Sequence, residues 1–380
     1  MQRDAAALKA ALADLEQRQL KRTRRLGVAP GLVNFCSNDY LGLANHPEVT
    51  RAFIDSASRH GVGSGASHLV TGHGPEHEAL EEELADFTGR EKALVFSTGY
   101  MANMGVIGAL ADQSAAIVSD KLNHASLIDG CRLSGADVRR YRHGDAGHAG
   151  ELLSTLAAET RLVVTDGVFS MDGDLAPLAE LARLARVANA WLLVDDAHGL
   201  GVVGATGRGS CEHFALSAHD VPVLVGTFGK ALGTFGAFVA GDADLIDLLV
   251  QKARTYIYTT ALPPAVAAAT RAALRVSVRE SWRREKALAL SQRFVRGMRD
   301  IDGRALAPTT PTTIVQVIIG EAAQAVTVSR ALEAAGFLVM AIRPPTVPAG
   351  TARLRVTFSA AHEEAQVDAL LAALAEALKT

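Results

Sequence analysis

Cysteine is scarce in this chain: three residues in 380, at positions 36, 131 and 211, odd in number and far apart. No CxxC pair occurs, which excludes a disulfide scaffold and a zinc ribbon and fits a reducing compartment. Charge of one sign is lacking too, with 38 Lys+Arg against 41 Asp+Glu and a net charge of −3. A nucleic-acid binder carries a strong basic excess, so no nucleic-acid partner is expected. Long hydrophobic runs are missing. The most membrane-like window, 221–241, holds only one charge, Lys230, but glycines and a proline interrupt it. Two short buried strands joined by a loop account for it better than a spanning helix. The first 26 residues carry charge throughout, with no apolar core of the signal-peptide type. A cytoplasmic protein with no membrane contact is expected. What is present is globular composition, 49% hydrophobic and 21% charged, in a chain long enough for two or three units at about 150 residues each.

The chain opens on an amphipathic helix with Leu8, Leu12 and Leu15 on one face, ending in the basic run Lys21, Arg22, Arg24, Arg25. That run reads either as a solvated helix end or as a clamp for an anion. From about residue 74 the text alternates. Short apolar runs at 93–96, 115–118, 162–165, 191–194 and 221–227 are separated by stretches with helical periodicity, such as 175–189. This predicts an α/β fold: a mostly parallel central sheet with helices on both faces. A smaller C-terminal α+β domain follows, with strands at 313–319, 337–342 and 354–358 and helices at 322–335 and 367–378. The expected division is an N-terminal helix and arm over 1–45, a large cofactor-binding domain over 46–285 and the C-terminal domain over 286–380.

Sheets of this kind bind ligands beyond the carboxyl ends of their strands, and three such ends stand out. After 93–96 come Ser97, Thr98, Gly99 and Tyr100, small residues opening a helix, whose free N–H groups suit phosphate. After 191–194 comes Asp195, with His198 three residues on; a buried carboxylate needs an answering cation. After 221–225 comes Gly226-Thr227-Phe228-Gly229-Lys230. A lysine at a buried strand mouth has a lowered pKa and becomes a nucleophile able to bond an aldehyde. Each piece alone has a bland reading: an ordinary turn, a capping aspartate, a snorkelling lysine. Together they supply what a pyridoxal phosphate enzyme needs, with His124 available to stack on the cofactor ring.

The segments 34–43 (NFCSNDYLGL), 63–65 (GSG), 168–174 (VFSMDGD), 194–199 (VDDAHG), 227–230 (TFGK) and 342–351 (IRPPTVPAGT) resemble the α-oxoamine synthases, a family of fold-type I pyridoxal phosphate enzymes, over nearly the whole chain. The resemblance implies pyridoxal 5'-phosphate as cofactor, with Lys230 as the lysine that bonds it and moves protons. It implies that Asp195 pairs with the ring nitrogen, His198 bonds the ring oxygen, His124 stacks on the ring, and Ser170 lies beside it. Gly99, Tyr100 and Thr227 would surround the phosphate. Thr259 and Thr260 would reach the neighbouring subunit's phosphate, so a homodimer with shared sites is implied. Arg22, or its neighbour Lys21 or Arg24, would meet the far carboxylate of an acyl chain, Thr346 would touch substrate, and Arg353 or Arg355 would hold the amino-acid carboxylate. No metal is implied.

The 342–351 segment points to the branch that condenses L-alanine with a pimeloyl thioester, of CoA or of an acyl carrier protein. That reaction gives 8-amino-7-oxononanoate, CO2 and free thiol, in biotin biosynthesis. Two rivals share the fold: a synthase joining glycine to acetyl-CoA or succinyl-CoA, and an aminotransferase. Three positions depart from the common pattern: His68 where Arg or Gly is frequent, Asp166 where Glu is frequent, and Tyr100 where Phe is frequent.

Overall fold

The computed structural model describes residues 4–18, 20–301, 305–306 and 310–379. Its centre is a seven-stranded sheet. The spatial order is Lys92–Phe96, Ala237–Gly241, Val223–Thr227, Trp191–Asp195, Arg161–Asp166, Ala116–Asp120, Asp137–Tyr141. All neighbours run parallel except Ala237–Gly241, which is antiparallel to both of its partners. The continuous apolar runs follow from burial on both faces. Leu162, Val164 and Leu193 pack into one cluster with Val106 and Leu245, whereas Val163, Leu192 and Val194 pack into another with Leu153 and Leu181. Alternate side chains point to opposite faces, so the central strands are apolar at consecutive positions, whereas the edge strand Asp137–Tyr141 is polar and largely exposed.

The helices begin where their caps dictate. Thr98 accepts from the Met101 N–H to start Gly99–Leu110, His124 accepts from Ser126 to start Ala125–Ser134, and Asp242 accepts from Leu245 to start Ala243–Lys252. Such caps satisfy N–H groups that no helical turn can reach. The window 221–241 forms two short strands with a connecting loop, as its glycines require.

A second, antiparallel sheet is ordered Met340–Ile342, Ala352–Thr357, Ile314–Gly320, Ala305–Leu306. Helices Trp282–Ile301, Ala322–Ala334 and Glu364–Ala377 cover it around Phe294, Phe337, Phe358, Leu370 and Leu374. Phe35 enters this core edge-on to Phe358 at 5.9 Å, and the two-residue strand Val33–Asn34 pairs in parallel with Phe337–Leu338. The first helix, Ala5–Gln17, stops before the basic run, because the Leu20 and Lys21 N–H groups both turn back to the Leu15 carbonyl. Leu8, Leu12 and Leu15 on that helix are exposed.

Candidate active site

Strand register sets the site. Asp166 and Asp195 are direct neighbours at the carboxyl ends of adjacent strands, and Asp195 pairs on its other side with Val225. Asp195 is buried and accepts hydrogen bonds from two neutral donors, Asn103 Nδ2 at 2.6 Å and the Ala197 N–H at 3.0 Å. Asn103, fully buried, also donates to Ser126 Oγ at 2.9 Å. Asp166 accepts the His124 N–H at 2.7 Å. Burial, reinforced by the Asp195 charge, pushes the Asp166 carboxyl well above the usual range. Asp196, also fully buried, takes the Ser210 N–H at 2.6 Å, and burial pushes its pKa up to about 7. Its pocket is walled by glycines: a Cβ at Gly199 or Gly209 would collide with its carboxylate.

Lys230 lies three residues beyond the Val223–Thr227 strand and is partly buried. Burial, with the Arg355 charge adding to it, pulls its pKa down to about 8 against the opposing pull of Asp195 and Asp166. The same charges are felt around it. His198, buried, is held well below its ordinary value by burial, then by Lys230 and Arg355, and its Nδ1 is 2.7 Å from the Tyr40 hydroxyl. His124 keeps an exposed ring, with Nδ1 2.7 Å from Ser126 Oγ. Partial desolvation lowers its pKa, Lys230 adding to that and Asp195 opposing. Tyr100 lies edge-on to His124 at 6.5 Å and donates its hydroxyl to Asp129, so this phenol finds its partner at the surface. Gly99 opens the helix on empty space, since a Cβ there would meet nothing within 4 Å. Thr227 Oγ1 donates to the Gly236 carbonyl at 2.9 Å.

Two arginines project from one face of the Ala352–Thr357 strand, and their partners separate them. Arg353 spends its charge on Asp172 at 2.6 Å and also bonds Gln316. Among the described residues Arg355 has no carboxylate partner and bonds neutral acceptors, including the Ser170 carbonyl at 2.6 Å and Asn38 Oδ1 at 3.2 and 3.3 Å. Its charge is therefore open to an incoming carboxylate. The cross-strand neighbours of Arg355 and Arg353 are Met340 and Ile342. Both line a cleft of about 820 Å³ between the N-terminal arm and the helix Ala322–Ala334, and Arg22 and Thr346 line it as well. In the basic run, Lys21 pairs with Glu16 at 3.0 Å and Arg25 grips Glu333 through two bonds of 2.6 and 2.7 Å. Arg22 faces the cleft without an ion-pair partner among the described residues. Thr259 and Thr260 lie in the partly exposed stretch after the short helix Arg254–Ile257, and among the described residues no hydrogen bond joins them to the residues around Lys230.

A partly buried lysine of lowered pKa, a buried strand-end aspartate with neutral donors among the described residues, and a helix start facing open space fit a pyridoxal phosphate enzyme of the α/β class. The aminotransferase class I and II family model matches residues 30–374. The 8-amino-7-oxononanoate synthase of Methylococcus capsulatus is 61% identical over 378 residues, 97% of each chain. The solved 8-amino-7-oxononanoate synthase of Francisella tularensis aligns with a TM-score of 0.80 at 29% identity, covering 92% of this chain and 98% of that one. A lysine-to-alanine variant of serine palmitoyltransferase from S. paucimobilis, with bound PLP and myriocin, aligns with a TM-score of 0.92 at 31% identity, covering 99% of both. Within the aminotransferase class I and II family, the chain belongs to the 8-amino-7-oxononanoate synthases, and its cofactor is pyridoxal phosphate.

The residues present fit that cofactor. The Asp195 carboxylate, whose hydrogen-bond donors among the described residues are neutral, suits a protonated ring nitrogen; the Gly99 end of the helix suits the phosphate. Sequence reading gave no role to Asn103, Tyr40 or Asn38. The signal for Asn103 was a lone amide in an otherwise apolar helix. Tyr40 and Asn38 stood inside the 34–43 motif, with nothing local to say what they touch.

Proposed function

We propose that the protein condenses L-alanine with a pimeloyl thioester of CoA or a carrier protein, releasing the thiol and CO2 and yielding 8-amino-7-oxononanoate. Bound pyridoxal phosphate supplies an aldehyde for amino groups and a protonated ring that accepts the electron pair left on Cα. The protein supplies the rest. Asp195, oriented by Asn103, keeps the ring nitrogen protonated, and His198, tied through Nδ1 to Tyr40, has Nε2 for the ring oxygen. Lys230, with a pKa near neutrality, removes the proton from Cα. Arg355 holds the alanine carboxylate and fixes which Cα bond faces the lysine. The carbanion attacks the thioester carbonyl, the thiolate leaves, and loss of the carboxylate as CO2 follows. Thr346 touches the acyl chain, and Arg22 holds its remote carboxylate, so that binding energy far from the reacting carbon is used for positioning.

The observation that carries this reading over a shorter acyl donor is Arg22, without an ion-pair partner among the described residues, in a cleft too large for an acetyl group. The test is to offer alanine, glycine and serine with a panel of acyl thioesters and to follow thiol release. Preference for alanine with pimeloyl thioester is expected; preference for glycine with a short acyl group refutes the reading. Lys230→Ala should abolish turnover.

The active unit is a homodimer in this reading, with Thr259 and Thr260 completing the partner's phosphate site. Exposed Val62, Leu69, Val70 and Tyr258 support it; they flank the segment tied together by Ser64 Oγ to Leu262 O and Ala261 N to Ala66 O. Light scattering of the holoenzyme at twice the chain mass is expected. Three free cysteines accord with action in the reducing cytoplasm.

A further inference from the structure

Away from the cofactor residues, one histidine bridges two carboxylates. His143 follows the edge strand Asp137–Tyr141. Its Nδ1 lies 3.1 Å from Asp120 Oδ1 and its Nε2 3.0 Å from Asp174 Oδ2. Carboxylates only accept, so both ring nitrogens carry hydrogen and the ring is an imidazolium. Partial burial opposes the charge, but the two aspartates overcome it and raise the pKa to about 10. The ring also stands edge-on to Phe169, 4.4 Å between centroids.

The two carboxylates belong to different parts of the fold. Asp120 is the buried tip of the Ala116–Asp120 strand and is itself fixed by the Leu122 and Gly144 N–H groups. Asp174 belongs to a tight loop over 168–175. That loop is closed by the Val168–Leu175 bridge and by the Phe169 N–H to Asp174 carbonyl bond of 2.9 Å. The opposite side of the same loop meets the second sheet. The Ser170 carbonyl takes Arg355 Nε, Asp172 takes Arg353, and the Gly173 carbonyl takes Thr312 Oγ1 at 2.8 Å. The loop is thus a connector, with His143 gripping one side and the substrate-facing arginine resting on the other.

We propose that His143 is a positioning residue: by clamping Asp174 to Asp120 it fixes the 168–175 loop, and through the Ser170 carbonyl it sets where the Arg355 guanidinium stands relative to Lys230. This rests on Arg355 as the group that holds the amino-acid carboxylate. Small displacements of a positioning contact cost large factors in rate or affinity, whereas the acyl cleft, lined by other elements, is untouched by the loop.

The experiment uses the holoenzyme and reads L-alanine affinity from the cofactor's absorbance, together with KM for the acyl thioester and the melting temperature. His143→Phe keeps the packing against Phe169 and removes both bonds. It should weaken alanine binding by about 10-fold or more and leave the acyl KM within about twofold. Asp174→Asn, the milder change, should weaken it less, and the double variant should bind alanine no worse than His143→Phe alone. Arg355→Gln is run in parallel. If Arg355→Gln weakens alanine binding while His143→Phe and Asp174→Asn lower only the melting temperature, the clamp is overturned and the Arg355 reading stands. If Arg355→Gln leaves alanine affinity unchanged, the route through Arg355 is overturned whatever the other variants do. Should His143→Phe fail to fold, Asp174→Asn decides by the same criterion.

Discussion

The amine of Lys230 offers a direct physical test. Its pKa falls from 10.5 to about 8, chiefly through burial. At about 8 the amine is neutral roughly 300 times more often at neutral pH than an ordinary lysine, in about 10% of molecules at pH 7 rather than a few in ten thousand. Only the neutral form is nucleophilic. Trace labelling of the apoenzyme with acetic anhydride across pH 6–11, read by mass spectrometry of the Lys230 peptide, should give a midpoint near 8, with surface lysines as internal standards. Two substitutions fix the sign. Arg355 lowers the Lys230 pKa and Asp195 raises it, so Arg355→Gln should move the midpoint up and Asp195→Asn should move it down. A midpoint shared with the surface lysines, or one that neither substitution moves, refutes the electrostatic account of the site.

Other outcomes follow from single contacts. Arg22→Gln should raise KM for a pimeloyl thioester about 10- to 100-fold, the loss of one charge-assisted contact, and leave an uncharged acyl chain of equal length unaffected. Arg25→Ala breaks a partly exposed pair with Glu333 and should cost about 0.2–1 kcal/mol in denaturant melts. Tyr40→Phe deprives buried His198 of its 2.7 Å partner and should cost about 1–2 kcal/mol of unfolding free energy. Gly209→Ala, at φ +92° with Asp196 against the new methyl, should lower stability by more than about 1 kcal/mol. Gly108→Ala, where a Cβ meets nothing within 4 Å, should be neutral or stabilising in the same thermal assay.

Features written locally were legible in the sequence. A strand buried on both faces leaves an unbroken apolar run, and a polar residue at or just past its carboxyl end stands out; Asp195 ends one such strand and Lys230 follows another by three residues. The glycines at 226 and 229 and the small residues after Phe96 marked turns by the same local chemistry. Contacts between distant segments were not legible. Asn103 reaches Asp195 across 92 positions, Tyr40 reaches His198 across 158 and Arg355 reaches Asn38 across 317. No spacing rule joins residues that far apart. The choice between Arg353 and Arg355 also needed coordinates, because it turns on Asp172 taking up one charge and leaving the other. The basic run was expected to finish a helix. The helix ends at Gln17, where two backbone N–H groups converge on the Leu15 carbonyl, and the run beyond it divides between Glu16, Glu333 and the cleft.

The pairing of Val33–Asn34 with Phe337–Leu338 carries a consequence for biosynthesis. All seven strands of the central sheet, 92 to 241, leave the ribosome before residue 337 has been made. Through that interval the amino-terminal arm has no strand to join. The acyl cleft, roofed by that arm, therefore matures last, and a nascent chain halted before position 337 lacks the wall of the chamber where its second substrate would rest.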